Sequence, residues 1–242
     1  MTAAPDRPVA VVTGGTRGIG LAIARDLAPT HLVVVGGRSA DAVHRLASSL
    51  PSGGGLVADF ADVSPGGSLD RALAEVGQRL DRVDVLVHSA GVLRSGTVAQ
   101  SPASDWLESM TVNVVAVEMV TQALLPALRR AHGLVLAVNS GSGLVSGASS
   151  GAYCASKFAL RALTDALREE ERGNGVRVTS LHPGRVDTDM QHELVDFEGA
   201  DYDAGAYLDV ASVVQAARFA MAAPPGASVD MLSVRPRGWR EP

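Results

Sequence analysis

A short apolar run ends in the stretch Thr13-Gly14-Gly15-Thr16-Arg17-Gly18-Ile19-Gly20, and a helix-forming segment follows. A strand, a glycine turn and a helix N-terminus in this order form a cradle for pyrophosphate, because the free backbone N–H groups and the helix dipole attract an anion. Gly14 permits the tight turn, Gly18 lets the backbone approach the phosphates, and Gly20 allows close packing of the helix. An ordinary βα turn is the alternative, but the position on the first strand favours a dinucleotide site.

The remainder of the chain alternates apolar runs with longer helical segments. The predicted strands are 9–13, 31–36, 55–59, 83–89, 133–139, 176–182 and 229–234. The predicted helices are 19–27, 40–50, 68–80, 103–131, 152–172 and 210–223. Most strand candidates are continuous runs of Val, Leu and Ala, which is typical of parallel strands buried on both faces. The order predicts an α/β fold: a Rossmann-like, doubly wound, mostly parallel seven-stranded sheet with helices on both faces.

Domain organisation follows from what the sequence lacks. No repeat, composition shift or long linker divides the chain, so we expect residues 1–242 to form a single domain that binds NAD(P). Residues 187–209 have no clear period and carry many Asp and Glu side chains. A loop of this length in a compact fold is usually a lid or a disordered segment. We expect it to be a substrate lid.

Composition excludes several classes of protein. Hydrophobic residues make up 46% of the chain and charged residues 19%, which supplies a large core and argues against disorder. A net charge of −5 disfavours nucleic-acid binding, and no uncharged apolar window of membrane-spanning length is present. With one cysteine, Cys154, no signal-like N-terminus and no metal-like spacing of the six histidines, we expect a cytoplasmic protein without a metal, a membrane or a nucleic-acid partner.

The most specific motif is Tyr153-Cys154-Ala155-Ser156-Lys157, which contains the only lysine beside twenty arginines. Tyr153 and Lys157 are four residues apart and would share one helix face. A phenol with a pKa near ~10 exchanges protons poorly at neutral pH, but a neighbouring ammonium and an oxidised nicotinamide both favour the phenolate. We therefore expect Lys157 to lower the pKa of Tyr153, so that Tyr153 acts as a general acid and base.

The Thr13-Gly14-x3-Gly18-x-Gly20 and Tyr153-x3-Lys157 motifs resemble those of the short-chain dehydrogenase/reductase family, and the resemblance extends over about residues 9–234. It implies that Ser140, thirteen residues before Tyr153, polarises the substrate oxygen, with Ser142 as a less favoured candidate. It also implies that Asn113 holds a water that links Lys157 to a proton relay. The implied catalytic residues are Asn113, Ser140, Tyr153 and Lys157.

The resemblance also implies a set of cofactor contacts. Asp59 would bind the adenine amine, and the loop Pro183-Gly184-Arg185-Val186-Asp187-Thr188 would contact the carboxamide and pyrophosphate. The fourth strand ends in His88-Ser89-Ala90-Gly91, where the family usually has Asn-Asn-Ala-Gly, and we expect backbone or water to replace the missing amides. The full set of expected cofactor-binding residues is Gly14, Thr16, Arg17, Gly18, Ile19, Gly20, Arg38, Asp59, Ala90, Gly91, Tyr153, Lys157, Pro183, Gly184, Val186 and Thr188.

The end of the second strand bears on the choice of dinucleotide. Enzymes that select NAD carry an acid there, which binds the ribose hydroxyls and would repel a 2′-phosphate. This chain reads Val35-Gly36-Gly37-Arg38-Ser39 and has no acid. Arg38 and Arg17 could donate charge-assisted hydrogen bonds to that phosphate. We expect NADP(H) to be preferred and NAD(H) to remain possible.

Together these features predict an NADP(H)-dependent oxidoreductase that interconverts a ketone or aldehyde and an alcohol, a small-molecule substrate. The resemblance implies a homodimer or homotetramer built on the long helices 103–131 and 152–172. Two alternatives stay open. One is a catalytically idle NADP(H)-binding sensor or structural partner, and the other is a ketoacyl-carrier-protein reductase, whose acidic partner the acidic segment 187–209 would repel.

Overall fold

Seven strands form one sheet in a computed structural model that describes residues 7–224 and 226–237. The strands are β1 (Val9–Thr13), β2 (Leu32–Gly37), β3 (Gly53–Val57), β4 (Val85–His88), β5 (Leu134–Val138), β6 (Arg177–Pro183) and β7 (Met231–Val234). Their order is β3-β2-β1-β4-β5-β6-β7, and each neighbouring pair is parallel. The Rossmann-like prediction is confirmed, with a sheet that is wholly parallel.

Helices cover both faces of this sheet. They are α1 (Gly18–Leu27), α2 (Ala40–Ser49), α3 (Ser68–Arg79), α4 (Ala103–Met110), α5 (Ala116–Ala131), α6 (Gly151–Glu171), α7 (Asp189–Glu198) and α8 (Val210–Met221). Side chains of α3 and α5 form one buried apolar cluster with the sheet, and side chains of α1 and α8 form another on the opposite face. Because both faces are covered, the central strands carry the continuous apolar runs seen in the sequence.

Three segments differ from the sequence prediction. The third strand ends at Val57, so Asp59 lies beyond the strand. The predicted helix 103–131 is interrupted by a π-helical turn, Thr111–Val115, which inserts an extra residue that no periodicity reveals. Residues 187–209 are not an irregular loop, because α7 and a short 3₁₀ turn at Ala204–Ala206 occupy much of the segment.

The stretch Ala103–Ala131 is long and apolar enough to cross a membrane by length and composition alone. Half of its most apolar window is buried within the fold, and Val120, Leu124 and Leu128 lie in the cluster on the sheet. Its apolar character is therefore explained by packing in the protein core.

The glycine turn brings β1, α1 and β4 into close contact. Gly14 has φ of +63°, and a Cβ there would lie 2.5 Å from the Ala90 backbone nitrogen. A Cβ on Gly20 would lie 2.3 Å from the Gly14 carbonyl oxygen, so this glycine packs the helix against the turn itself. Only glycine satisfies both positions, which set the N-terminus of α1 at the carboxyl edge of the sheet.

The strand order reverses between β1 and β4, because β1 pairs with β2 on one side and with β4 on the other. In doubly wound sheets a crevice opens at the carboxyl ends of the strands at this point. The loops after β1, β4, β5 and β6 all meet there and contain many of the predicted site residues, whereas Tyr153 and Lys157 lie on α6.

Candidate active site

A cavity of about 700 Å³ opens at the carboxyl edge of the sheet. Its volume lies within the usual range for cofactor and small-molecule sites. The predicted site residues on its wall are Gly14, Thr16, Arg17, Gly18, Ile19, Arg38, Asp59, Ala90, Gly91, Ser140, Tyr153, Lys157, Pro183, Gly184, Val186 and Thr188. Gly20 and Asn113 lie behind this wall. The structure therefore gathers almost all of the predicted set, from distant parts of the chain, around one space.

Ser140 and Tyr153 form the polar pair at the inner end of the cavity. Ser140 follows β5, and the proximity of its hydroxyl to the buried phenol of Tyr153 lowers the pKa of the phenol. Burial acts more strongly and raises the pKa of Tyr153 to about 12. The expectation that Lys157 lowers this pKa is therefore wrong for the protein's own groups, since removal from water outweighs any effect of the ammonium.

The competing serine, Ser142, has a structural role in the turn that follows β5. Its backbone nitrogen donates a hydrogen bond of 3.1 Å to Ser140 Oγ. Ser140 thus caps the short 3₁₀ turn Gly141–Gly143 while its hydroxyl faces Tyr153. This arrangement favours Ser140 over Ser142 as the serine beside the phenol.

Lys157 lies one helical turn after Tyr153 on α6, as the spacing predicted. Its Nζ donates a hydrogen bond of 3.1 Å to the Val138 carbonyl and lies 5.7 Å from the centroid of the Tyr153 ring. Burial lowers the pKa of Lys157 to about 8. The ammonium is therefore still the main form at neutral pH, and it is anchored to the end of β5.

Asn113 is buried in the π-helical turn, where both polar atoms of its side chain form hydrogen bonds with the protein. Its Oδ1 accepts a hydrogen bond from the Val92 nitrogen, and its Nδ2 donates to the Val92 carbonyl and to Ser156 Oγ. Ser156 Oγ in turn donates to the Tyr153 carbonyl at 2.7 Å. The side chain of Asn113 thus connects α6 to the loop after β4, and sequence reasoning missed the part played by Ser156.

The end of β4 is held by a backbone hydrogen bond from the Ser89 nitrogen to the Thr13 carbonyl oxygen at 3.2 Å, and also by side chains, so the expected backbone substitute accounts for part of the arrangement. Thr13 Oγ1 accepts hydrogen bonds from the Ser89 and Ala90 nitrogens at 3.2 and 3.3 Å. His88 is buried, and its Nε2 lies 2.9 Å from Thr121 Oγ1. Burial lowers the pKa of His88 to about 3, so the ring is neutral at physiological pH.

The outer half of the cavity carries the residues expected near an adenosine. β2 ends in Gly37 with no acid, and Arg38 is exposed on the cavity wall. The Oδ1 of Asp59 accepts a hydrogen bond of 3.1 Å from the Ala61 nitrogen, which fixes this side chain at the rim. Arg17 forms ion pairs with α7, because its Nη1 lies 3.7 Å from Asp189 Oδ2 and 3.9 Å from Glu193 Oε1. A phosphate would therefore compete with these two carboxylates for the guanidinium.

The segment 187–209 folds back on itself through a cluster of rings. His192 stacks on Tyr202 with ring centroids 3.6 Å apart, and the Tyr202 hydroxyl donates to Asp187. The Asp187 nitrogen donates to the Leu208 carbonyl at 2.9 Å, which ties the two ends of the segment together. Asp189, Met190 and Leu194 of α7 lie on the wall of the cavity.

The residues present fit a nicotinamide dinucleotide. The N-terminus of α1 and the backbone of the glycine turn supply N–H groups for a pyrophosphate. Gly18 has φ of +52°, a backbone conformation that favours glycine, and it lies beside the Thr188 side chain, which a Cβ would meet at 3.7 Å. Within residues 7–224 and 226–237 no group of His, Cys, Asp and Glu could hold a metal ion.

Comparisons with known proteins agree with this geometry. A family model described as short chain dehydrogenase matches residues 8–199. The meso-2,3-butanediol dehydrogenase of Serratia marcescens is 34% identical over 76% of this chain and 74% of its own length. An alcohol dehydrogenase from the archaeon Thermococcus sibiricus, complexed with 5-hydroxy-NADP, superimposes with a TM-score of 0.86 at 28% identity and covers 98% of this chain and all of its own.

A variant of the actinorhodin polyketide ketoreductase with NADPH also superimposes with a TM-score of 0.86, at 26% identity, over 97% of this chain and 98% of its own. The fold, the cavity and the match over most of the chain lead to the same assignment. This protein belongs to the short chain dehydrogenase family of oxidoreductases.

Proposed function

We propose that this protein is an NADP(H)-dependent oxidoreductase that interconverts a ketone or aldehyde and the corresponding alcohol, acting on CH–OH groups. The observation that carries the proposal is the proximity of the Ser140 hydroxyl to the buried phenol of Tyr153, one helical turn from Lys157, on the wall of a dinucleotide-sized cavity.

In the reducing direction, Ser140 donates a hydrogen bond to the substrate carbonyl and stabilises the charge that develops on its oxygen. Tyr153 then delivers its proton to that oxygen, and the raised pKa of the phenol keeps this proton in place at neutral pH. The nicotinamide supplies or accepts the hydride when bound, and in its oxidised form its positive charge favours the phenolate. Lys157 orients the cofactor ribose with its ammonium, and Asn113 positions a proton relay behind it.

NADP(H) is the preferred cofactor in this proposal, with NAD(H) possible. Support comes from the missing acid after β2, from the exposed Arg38 beside it and from the NADP and NADPH complexes of the two similar structures. Asp59 would bind the adenine, while Ala90, Gly91 and the loop 183–188 would line the path to the nicotinamide.

The wider organisation belongs to the same proposal. Residues 1–242 form one domain, and 187–209 act as a lid whose helix α7 covers the substrate side of the cavity. The protein works in the cytoplasm on a small molecule as a homodimer or homotetramer.

A panel of carbonyls and alcohols tests the proposal. Oxidation of NADPH is followed with ketones, aldehydes and a 3-oxoacyl thioester, and reduction of NADP⁺ is followed with secondary alcohols that include 2,3-butanediol. We expect turnover with at least one neutral compound, and we expect Tyr153→Phe to lower kcat by about 100- to 10,000-fold with NADPH affinity unchanged. Tight NADPH binding without any turnover would support the idle sensor, and turnover of the thioester alone would support the ketoacyl reductase.

A further inference from the structure

His182 lies at the end of β6, immediately before the loop 183–188, and it is completely buried. Its Nδ1 lies 2.8 Å from the Ser140 carbonyl oxygen, and its Nε2 lies 2.8 Å from Ser180 Oγ. Both ring nitrogens are therefore engaged, one of them with the main chain of the serine that contacts Tyr153. The proposed mechanism gives no role to this histidine.

The direction of each hydrogen bond follows from the chemistry of the partners. A carbonyl oxygen only accepts, so Nδ1 must carry the proton and donate to Ser140. Nε2 then accepts from the Ser180 hydroxyl, and Ser180 Oγ accepts from Asn139 Nδ2 at 3.3 Å. Burial lowers the pKa of His182, which keeps the ring neutral and consistent with this arrangement.

The same network reaches the segment that holds the lysine. Asn139 Nδ2 also donates to the Lys157 carbonyl at 3.2 Å, and Lys157 Nζ donates to the Val138 carbonyl. Packing around this junction is tight, because a Cβ on Gly143 would lie 2.7 Å from Asn139 Oδ1 and 2.9 Å from the Lys157 carbonyl. A displacement of one member would therefore be transmitted to the others.

We propose that His182 is a positioning residue, which fixes the main chain of Ser140 so that its hydroxyl meets both Tyr153 and the substrate oxygen. This inference rests on the proposed function. The hydrogen bond from Nδ1 to the Ser140 carbonyl does the positioning, and the chain through Ser180 and Asn139 selects the tautomer that can donate it. Because His182 does not line the cavity, its effect falls on the chemical step and not on cofactor binding.

Two substitutions separate positioning from stability. In His182→Asn the amide nitrogen sits near the place of Nδ1 and can still donate to Ser140, although the bond to Ser180 is lost. In His182→Phe the ring volume is kept but both hydrogen bonds are lost. We expect the Phe variant to lower kcat about tenfold or more, as loss of a hydrogen bond that acts in the transition state does, and the Asn variant to recover most of it.

The experiment measures kcat, KM and the unfolding temperature of both variants with the fastest compound of the panel, and the Kd for NADPH. The proposal requires a fall in kcat with little change in NADPH affinity, and a recovery in His182→Asn that does not follow the unfolding temperature. Equal kcat for the Phe variant and the wild type overturns it, and so does a kcat that simply follows stability.

If the Phe variant does not fold, nitrogen NMR of the wild-type histidine side chains decides the matter. A neutral ring protonated at Nδ1 supports the proposal, and a ring protonated at Nε2 overturns it. A wild-type protein with no turnover on the whole panel overturns the proposed function instead, which distinguishes the two failures.

Discussion

A methyl group added to Gly14 should weaken cofactor binding as well as folding. The residue has φ of +63°, a conformation that costs an L-residue about 1–2 kcal/mol. The added Cβ would also lie 2.5 Å from the Ala90 nitrogen and 2.7 Å from Ala90 Cα and the Ser89 carbonyl carbon. These neighbours are backbone atoms, so no side-chain rotation relieves the overlap, and β1 and β4 must separate by about 1 Å at the cavity wall to restore ordinary contact.

The consequence can be estimated from this displacement. Gly14 belongs to the proposed pyrophosphate cradle, while Ala90 lies on the path to the nicotinamide, so the shift misaligns the two ends of the cofactor. A misplacement of ~1 Å can cost about 100-fold in rate. We expect Gly14→Ala to weaken NADPH binding by about tenfold or more and to lower kcat/KM by about 100-fold, with a fall in unfolding temperature of at least about 2–8 °C.

Gly66 provides the matched control. Its φ is +70°, but a Cβ there meets nothing within 4 Å. Gly66→Ala therefore introduces the same backbone strain without the overlap, and its unfolding temperature should fall by about 2–8 °C while NADPH binding stays unchanged. Titration of intrinsic fluorescence with NADPH and a thermal melt of each variant give the comparison. A Gly14→Ala protein that binds NADPH within twofold of Gly66→Ala would refute the role assigned to the cradle.

Three further results are expected. Arg38→Ala should weaken NADPH binding by about tenfold and leave NADH binding unchanged, because only NADPH carries the 2′-phosphate that the guanidinium would bind; equal losses in two titrations would contradict this. Lys157→Arg should strongly reduce kcat at similar stability, since the planar guanidinium cannot match the ammonium that reaches Val138; near-normal turnover would count against it. Below pH about 6.5 the His88 ring becomes protonated in the unfolded chain, whereas in the folded protein its pKa of about 3 keeps it neutral. The free energy of unfolding should therefore fall by about 1.4 kcal/mol per pH unit as the pH decreases. Urea unfolding at pH 7 and pH 5 should show a smaller change for His88→Asn than for the wild type, and identical changes would exclude His88 as the cause.

The sheet was predictable because most of its buried parallel strands, such as β1 and β5, are continuous apolar runs that can be recognised in the local sequence. The glycine turn and the Tyr153–Lys157 pair were predictable for a related reason. Their arrangement on a turn and on a helix is determined by their spacing along the chain. The structure brings these elements together as expected, and only element ends moved by a few residues.

Other features depend on contacts between distant segments, which spacing does not encode. Helix α7 escaped prediction because its sequence, Asp189–Glu198, is acidic and has only a weak apolar face. Arg17 was expected near a phosphate, yet its ion pairs with α7 exist only in the folded chain. The raised pKa of Tyr153 was also not predicted, because it results from burial of the phenol and not from the neighbouring lysine.

The π-helical turn Thr111–Val115 has a consequence for how this long helical stretch can vary. One surplus residue rotates everything after it by about 100° relative to everything before it. The helical segments before and after the turn therefore have independent registers, and they join at the position of Asn113. Removing a single residue there would restore a continuous α-helix and rotate the buried face of one segment away from the side chains that it packs against. Insertions and deletions at this junction should therefore be tolerated far less than substitutions on either side.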